Sequence, residues 1–197
     1  MRERLATGLQ ATSPVNAALV ADPQTTLTPI AAPWLPGWQL LDVQNLTPPH
    51  PRRFAAALSE NGEALVLAGK PERFNAVVDS AGVRVDSARV ATSVATTFLD
   101  TTRTFASYSY RIGSVDDIKW RPNLDAAQQG GKTKLEQTYG DEVTAPRVRQ
   151  AGDDWQVQLW MVDGTQLVRH ELTVAANGST SDKPVTVVRD MPVPASR

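Results

Sequence analysis

The clearest hydrophobic pattern in the chain is a helical stripe near its middle. Between Asp86 and about Phe105, mostly apolar residues recur at intervals of three and four, which is the spacing of one face of an α-helix. The members of the stripe are Ala91, Val94, Ala95, Phe98, Thr102 and Phe105. Asp86 can cap the first turn. The pattern therefore predicts a long amphipathic helix over residues 86–105.

From Val143 onward the pattern changes from a helical period to alternation of apolar and polar residues. Turn residues at Gly152-Asp153, Asp163-Gly164 and Asn177-Gly178 separate runs of strand length. Four antiparallel strands are therefore predicted for the C-terminal part of the chain.

The turn at Asp163-Gly164 determines which side chains share a face of this sheet. A two-residue turn places Trp160 opposite Leu167, and Val157 opposite His170. One face is then apolar apart from a histidine, and it contains Trp155, Val157, Leu159, Met161, Val168, His170, Leu172 and Val174. We expect the long helix to pack on this face, with Trp160 and Leu167 forming an apolar pair on the opposite, polar face.

Proline dominates the first quarter of the chain. Residues 1–52 hold eight of the 14 prolines, and each removes a backbone donor and disfavours a helical conformation in the residue before it. This segment is predicted to be an extended arm that wraps around the domain. Its apolar stretch at 34–41 is expected to anchor it.

The residues after the arm carry further local signals. Apolar runs at 54–58 and 64–68 flank Asn61-Gly62, which predicts a β-hairpin, and Pro71 then begins a short helix that ends near Gly82. Residues 113–142 are predicted to be largely irregular, with one strand or short helix, because Pro122 and two adjacent glycines interrupt them.

These elements predict an α+β fold, in which a long helix packs on a curved antiparallel sheet of about four C-terminal strands. The hairpin and the proline-rich arm are N-terminal additions, so the predicted organisation is an arm over 1–52 and a single roll domain over 53–197. In residues 86–110 and 143–190, the order of a long helix followed by a meander resembles the cystatin-like α+β roll superfamily, which includes nuclear-transport-factor-like and SnoaL-like proteins. The resemblance implies a cone between helix and sheet, which holds small apolar molecules in some members, whereas others serve in assembly.

Composition and charge narrow the classes of function. The chain has 20 Lys and Arg against 21 Asp and Glu, so it has no overall field that attracts nucleic acid. It has no cysteine and two histidines, which removes thiolate chemistry and disfavours an all-histidine metal site. We therefore expect no metal and no cofactor.

The hydropathy of the chain bears on its location. No stretch reaches the roughly 18 apolar residues that span a bilayer. The first eight residues lack the apolar core of a secretory signal. A cytoplasmic protein is expected, although a mature exported protein would show the same pattern.

His170 is the candidate catalytic residue. The predicted register aims its imidazole at the apolar face, where it can exchange protons near neutral pH if a pocket reaches it. General acid–base catalysis also needs a second positioned group, which the sequence does not locate. The alternative is a histidine at the edge of the core that is satisfied by one hydrogen bond.

The aromatic residues favour binding over catalysis. Ligand-binding candidates are Trp155, Val157, Phe98, Tyr108 and Tyr110, whereas partner-binding candidates are Trp160, Leu167, Trp34 and Trp38. The leading hypothesis is a noncatalytic binding or assembly module that holds a hydrophobic small molecule or a partner protein chain, including a homodimer through the sheet. The alternative is a cofactor-free SnoaL-like enzyme, a cyclase, isomerase or hydratase, with His170 as general base.

Overall fold

The computed structural model describes residues 1–47 and 51–194 of the chain. About 30% of the chain is helix and 32% is strand, in five α-helices and two antiparallel sheets of four and five strands among the described residues. The α+β class predicted from the sequence is confirmed. The chain divides into two compact units, of which unit 1 is Met1–Phe105 with Ala175–Thr180, and unit 2 is Ala106–Val174 with Ser181–Arg197.

Unit 1 combines helices with a four-stranded antiparallel sheet. Its helices are α1 (Arg2–Leu9), α2 (Pro14–Ala21), α3 (Pro71–Ser80) and α4 (Ala88–Thr102). Its strands are β1 (Thr26–Ile30), β2 (Trp38–Asn45), β3 (Arg52–Ser59) and β4 (Ala64–Val66), and they follow one another in chain order across the sheet.

The described part of the predicted arm, residues 1–47, is not an extended arm, because it forms α1, α2, β1 and β2. Pro14 stands at the start of α2, where its missing N–H costs nothing, and Pro29 lies on the edge strand β1. Leu5 and Leu9 of α1 are fully buried in a core cluster with residues of β2, β3 and β4. The predicted boundary at residue 52 coincides with the start of β3, inside unit 1.

The hairpin and the two later helices of unit 1 agree with the sequence pattern. β3 and β4 pair around a turn in which Gly62 adopts a φ of 89°. α4 begins one residue later than predicted, since Ser87 and not Asp86 caps it by accepting the N–H of Val90. Ala91, Val94, Ala95 and Phe98 of its stripe are buried, and the helix packs against α3 and β3. The helix ends at Thr102, so Phe105, the last residue of the predicted stripe, lies outside it. The sheet on which the sequence placed this helix belongs to unit 2, so their packing stays a prediction.

Unit 2 is a five-stranded antiparallel sheet with one α-helix on it. The strands are β5 (Ser109–Ile112), β6 (Arg147–Ala151), β7 (Asp154–Asp163), β8 (Gln166–Val174) and β9 (Thr180–Val188). Their order is β5-β7-β8-β9, and β6 pairs with the remaining length of β7. The four C-terminal strands are confirmed, whereas β5 was not predicted.

The helix of unit 2, α5 (Ala126–Tyr139), lies in the segment 113–142, which we predicted to be largely irregular with one strand or short helix. Asp125 and Gln128 form a reciprocal capping box at its start. Leu135 and Tyr139 then pack into a core cluster with residues of β7 and β8. Capping and burial therefore outweigh the low helix propensity of Gly130 and Gly131.

The β7–β8 register differs from the predicted one. Asp163 pairs with Gln166, so the connecting residues are Gly164 and Thr165. β5 holds Asp163 in the ladder, because Ser109 is its strand partner and Ser107 donates a hydrogen bond to its carboxylate at 2.6 Å.

Candidate functional site

Trp160 and Leu167 do not form the exposed partner surface predicted for them. Their side chains are 1% and 0% exposed, and both belong to the core cluster that includes Leu135. Trp160 lies opposite Arg169 and not opposite Leu167, and its ring centroid is 6.4 Å from that of Tyr139 on α5. The sequence placed both residues on one face of the sheet but did not reveal the helix that covers them.

Trp34 and Phe98 take part in the internal packing of unit 1. The Nε1–H of Trp34 donates to Ser93 Oγ at 3.0 Å. Its ring lies 6.3 Å from that of Phe74, which meets Phe98 edge-on at 5.2 Å. Trp34, predicted to bind a partner, and Phe98, predicted to bind a ligand, therefore both make contacts within unit 1.

Of the other predicted ligand-binding residues, Val157 is buried on β7 and Trp155 is partly buried. The Tyr108 and Tyr110 rings lie 5.2 Å apart beside Lys119. Tyr110 Oη accepts the backbone N–H of Lys119 at 2.8 Å, while Lys119 Nζ lies 3.0 Å from Tyr108 Oη. These hydroxyls are already hydrogen-bonded within unit 2.

His170 has a carboxylate partner that the sequence did not reveal. Its Nδ1 lies 2.8 Å from Asp182 Oδ2, on the neighbouring strand β9, and the two side chains are 13% and 16% exposed. His170 faces Leu159 and not Val157. When the carboxylate is charged, it favours the proton on Nδ1 and leaves Nε2 as an acceptor. Asp182 is partly buried between exposed Ser181 and Lys183. This alternation along the strand is the pattern that places the Asp182 side chain on the less exposed face.

Trp38 is the predicted partner-binding residue that remains accessible. It stands at the start of β2, partly buried, between hollows of about 310 Å³ and 220 Å³ that share its side chain. Its Nε1–H has no hydrogen-bond partner among the described residues. One aromatic ring therefore borders two hollows with its polar atom unused.

Two carboxylates give the larger hollow beside Trp38 a negative charge. Glu60 and Glu63 line the larger hollow, and neither side chain forms an ion pair within the described part of the chain. Arg4, which lines the smaller hollow, donates to the backbone oxygens of Ser59 and Glu60 at 2.9 and 2.7 Å.

The C-terminal end of α3 adds to this charge, since Ser80 lines the larger hollow. A helix C-terminus carries a partial negative charge. We call Trp38, Glu60, Glu63 and this helix end the Trp38 site. The sequence singled out its tryptophan but indicated no role for either glutamate.

Fold and site together define an α+β protein with two antiparallel sheets and an accessible, acidic tryptophan site. No family model, curated protein or solved structure matches the chain. Across residues 1–47 and 51–194, no helix combines the length and apolar character that crossing a membrane requires. The same residues contain no cluster of three or more His, Asp or Glu side chains suited to holding a metal ion.

Proposed function

We propose that the protein is a noncatalytic binding module that receives an arginine side chain of a partner protein at the Trp38 site. The observation that supports this function is an accessible indole beside two carboxylates without ion pairs. A cation over a tryptophan face is attracted by the ring, and the interaction strengthens when water is excluded.

Arginine fits the Trp38 site better than lysine on physical grounds. Its planar guanidinium stacks on an aromatic ring and also donates paired hydrogen bonds to a carboxylate. Glu60, Glu63 and the end of α3 lie around the larger hollow, where such a group would enter. Tryptophan is also enriched among residues that dominate protein interfaces.

The experiment is an NMR titration with N-acetyl-arginine amide that follows the five tryptophan indole N–H signals. We expect the Trp38 signal to move saturably and the signals of Trp34 and Trp160 to stay, because the Trp34 indole N–H is bonded to Ser93 and the Trp160 indole is buried. Glu60→Gln with Glu63→Gln should weaken binding by about threefold to tenfold.

Two controls make the titration specific. Glu72→Gln removes a carboxylate from the opposite end of α3 and should leave the affinity unchanged. N-acetyl-citrulline amide has the same shape without the charge and should not bind. An unmoved Trp38 signal, or equal binding of citrulline, would contradict the proposed function.

The His170–Asp182 pair favours a second candidate function, a cofactor-free enzyme with His170 as general base. Asp182 would orient the ring, and Nε2, which has no partner among the described residues, would accept the proton. Turnover separates the two candidates, because His170→Ala should leave arginine amide binding at the Trp38 site intact and a binding module has no turnover for this variant to lose. An enzyme of this type would instead lose its turnover in that variant.

A further inference from the structure

β6 is an edge strand of the sheet in unit 2. It pairs with β7 on one side, and its residues make no other backbone hydrogen bond within the described part of the chain. Four of its five residues are exposed. A row of unpaired N–H and C=O groups is a template for a further strand, so this edge needs either protection or a partner.

Two arginines project from β6 on the same face of the sheet. Arg147 lies opposite Gln158 and Arg149 lies opposite Gln156, and Gln158 in turn faces Glu171 on β8. A groove of about 360 Å³, which we call the arginine groove, is bordered by Arg147, Arg149, Gln156, Gln158 and Glu171. At a rise of about 3.3 Å per residue, the two arginines are about 6.6 Å apart along the strand.

The positive charge of the arginine groove is not neutralised within the fold. Glu171 is paired with Arg169 at 3.0 Å. Arg147 donates only to the backbone oxygen of Asp141 at 3.3 Å, and Arg149 has no hydrogen bond or ion pair among the described residues. Two guanidinium groups therefore lack carboxylate partners beside an open strand edge.

We infer that β6 binds an extended acidic segment of a partner protein as an additional strand. Main-chain hydrogen bonds to the open edge would align the segment as a strand, and carboxylates at alternate positions would pair with Arg147 and Arg149. Alternate residues of an extended chain share a face with the same spacing as these two arginines, so an acidic residue at every second position matches both.

A second copy of β6 is a poorer occupant than an acidic segment. Antiparallel self-pairing centred on Arg149 would place this residue opposite its own copy, and like charges directly opposite each other repel. The inference concerns unit 2 and does not depend on the Trp38 site.

The test is binding of a fluorescein-labelled peptide, Thr-Glu-Val-Glu-Val-Glu-Thr, followed by anisotropy at low salt. We expect saturable binding, and the double variant Arg147→Gln with Arg149→Gln should weaken it by about tenfold. Arg189→Gln changes another exposed arginine of unit 2 and should have no effect. Hydrogen exchange should show new protection at amides within Arg147–Ala151.

Two further peptides and one variant complete the test. The peptide N-methylated at alternate residues keeps its charge but cannot pair as a strand, so its binding should be lost. A lysine analogue should not bind. Trp38→Ala should bind the acidic peptide normally, even if the proposed arginine site proves wrong. Equal binding of the N-methylated peptide, no effect of the arginine variant, or no binding of any peptide would overturn the inference.

Discussion

Tyr110 illustrates at the residue scale how local surroundings set the chemistry of a side chain. It lies partly buried on β5, and burial raises its pKa above the ordinary value of 10.0. Tyr108 also raises this pKa, whereas the backbone N–H and the charge of Lys119 lower it. Burial has the largest effect, so the neutral phenol is the form that the fold favours.

This shift predicts how stability changes in alkali. The pKa of Tyr110 is higher in the folded state than in the unfolded state, so the neutral phenol stabilises the fold. This stabilisation is complete below the unfolded-state pKa near 10, and it is lost as the pH rises through the folded-state pKa. Between about pH 8 and pH 11, urea unfolding should show a steeper loss of unfolding free energy in the wild type than in Tyr110→Phe. Lysines titrate in both proteins, so their effect cancels, and parallel curves would contradict the prediction.

Individual side chains also show which parts of the site the sequence can predict. The two faces of β7 and β8 were predicted correctly although their register was wrong. Moving the turn by one residue shifts each strand partner by two positions, which preserves the alternation. Alternation does not reveal what covers a face, so the burial of Trp160 and the carboxylate partner of His170 required the structure.

At the scale of elements, α5 shows why local propensity misleads. Gly130 and Gly131 favour a loop, since each glycine costs about 1 kcal/mol relative to alanine inside a helix. Two features stabilise the helix against this cost. They are the capping box at Asp125 and the burial of Leu135, which is 4% exposed. The sequence shows the capping residues Asp125 and Gln128. Whether the helix forms also depends on tertiary packing, which the sequence pattern does not show. α4 was predicted from its apolar stripe, although its many threonines lower its helix propensity.

Gly131→Ala should therefore stabilise the protein. A Cβ added at Gly131 meets nothing within 4 Å and the residue has a helical backbone, so the change removes a propensity cost without creating a clash. We expect the free energy of unfolding to rise by about 0.5–1 kcal/mol, measured by urea denaturation.

Gly152→Ala is the matched control for the helix prediction. This turn between β6 and β7 also has open space for a Cβ, but its φ of 66° is strained for alanine. The variant should lose about 1 kcal/mol. Loss of stability in Gly131→Ala as well would show that α5 does not tolerate a side chain there.

At the scale of the whole molecule, the two units are not consecutive in the chain. Ala175–Thr180, between β8 and the body of β9, belongs to unit 1. Gly178 in this segment has a φ of 83°, and a Cβ there would lie 2.9 Å from Val83 Cγ1. Proline density suggested a boundary at residue 52, but a unit completed by residues from the far end of the chain leaves no local signal in the sequence.

The side chain of Asn75 on α3 forms two hydrogen bonds with this distant segment within unit 1. Its Nδ2 donates to the backbone oxygen of Thr180 at 3.0 Å, and its Oδ1 accepts the N–H of Thr180 at 2.9 Å. Thr180 is 3% exposed, so both of its backbone groups would lose their partners in Asn75→Ala. Leaving buried polar groups unsatisfied costs about 1–3 kcal/mol, which is the expected loss in unfolding free energy.

Asn61→Ala, in the exposed hairpin turn, should change that free energy by less than about 0.5 kcal/mol. Hydrogen exchange locates the effect of Asn75→Ala. The Thr180 amide should lose protection in this variant, because its acceptor is gone, whereas the Ala175 amide keeps its bond to Ser179 O at 2.9 Å. Unchanged protection at Thr180 would mean that another group replaces the asparagine. Full retention of stability would mean that the segment does not need this pair of hydrogen bonds.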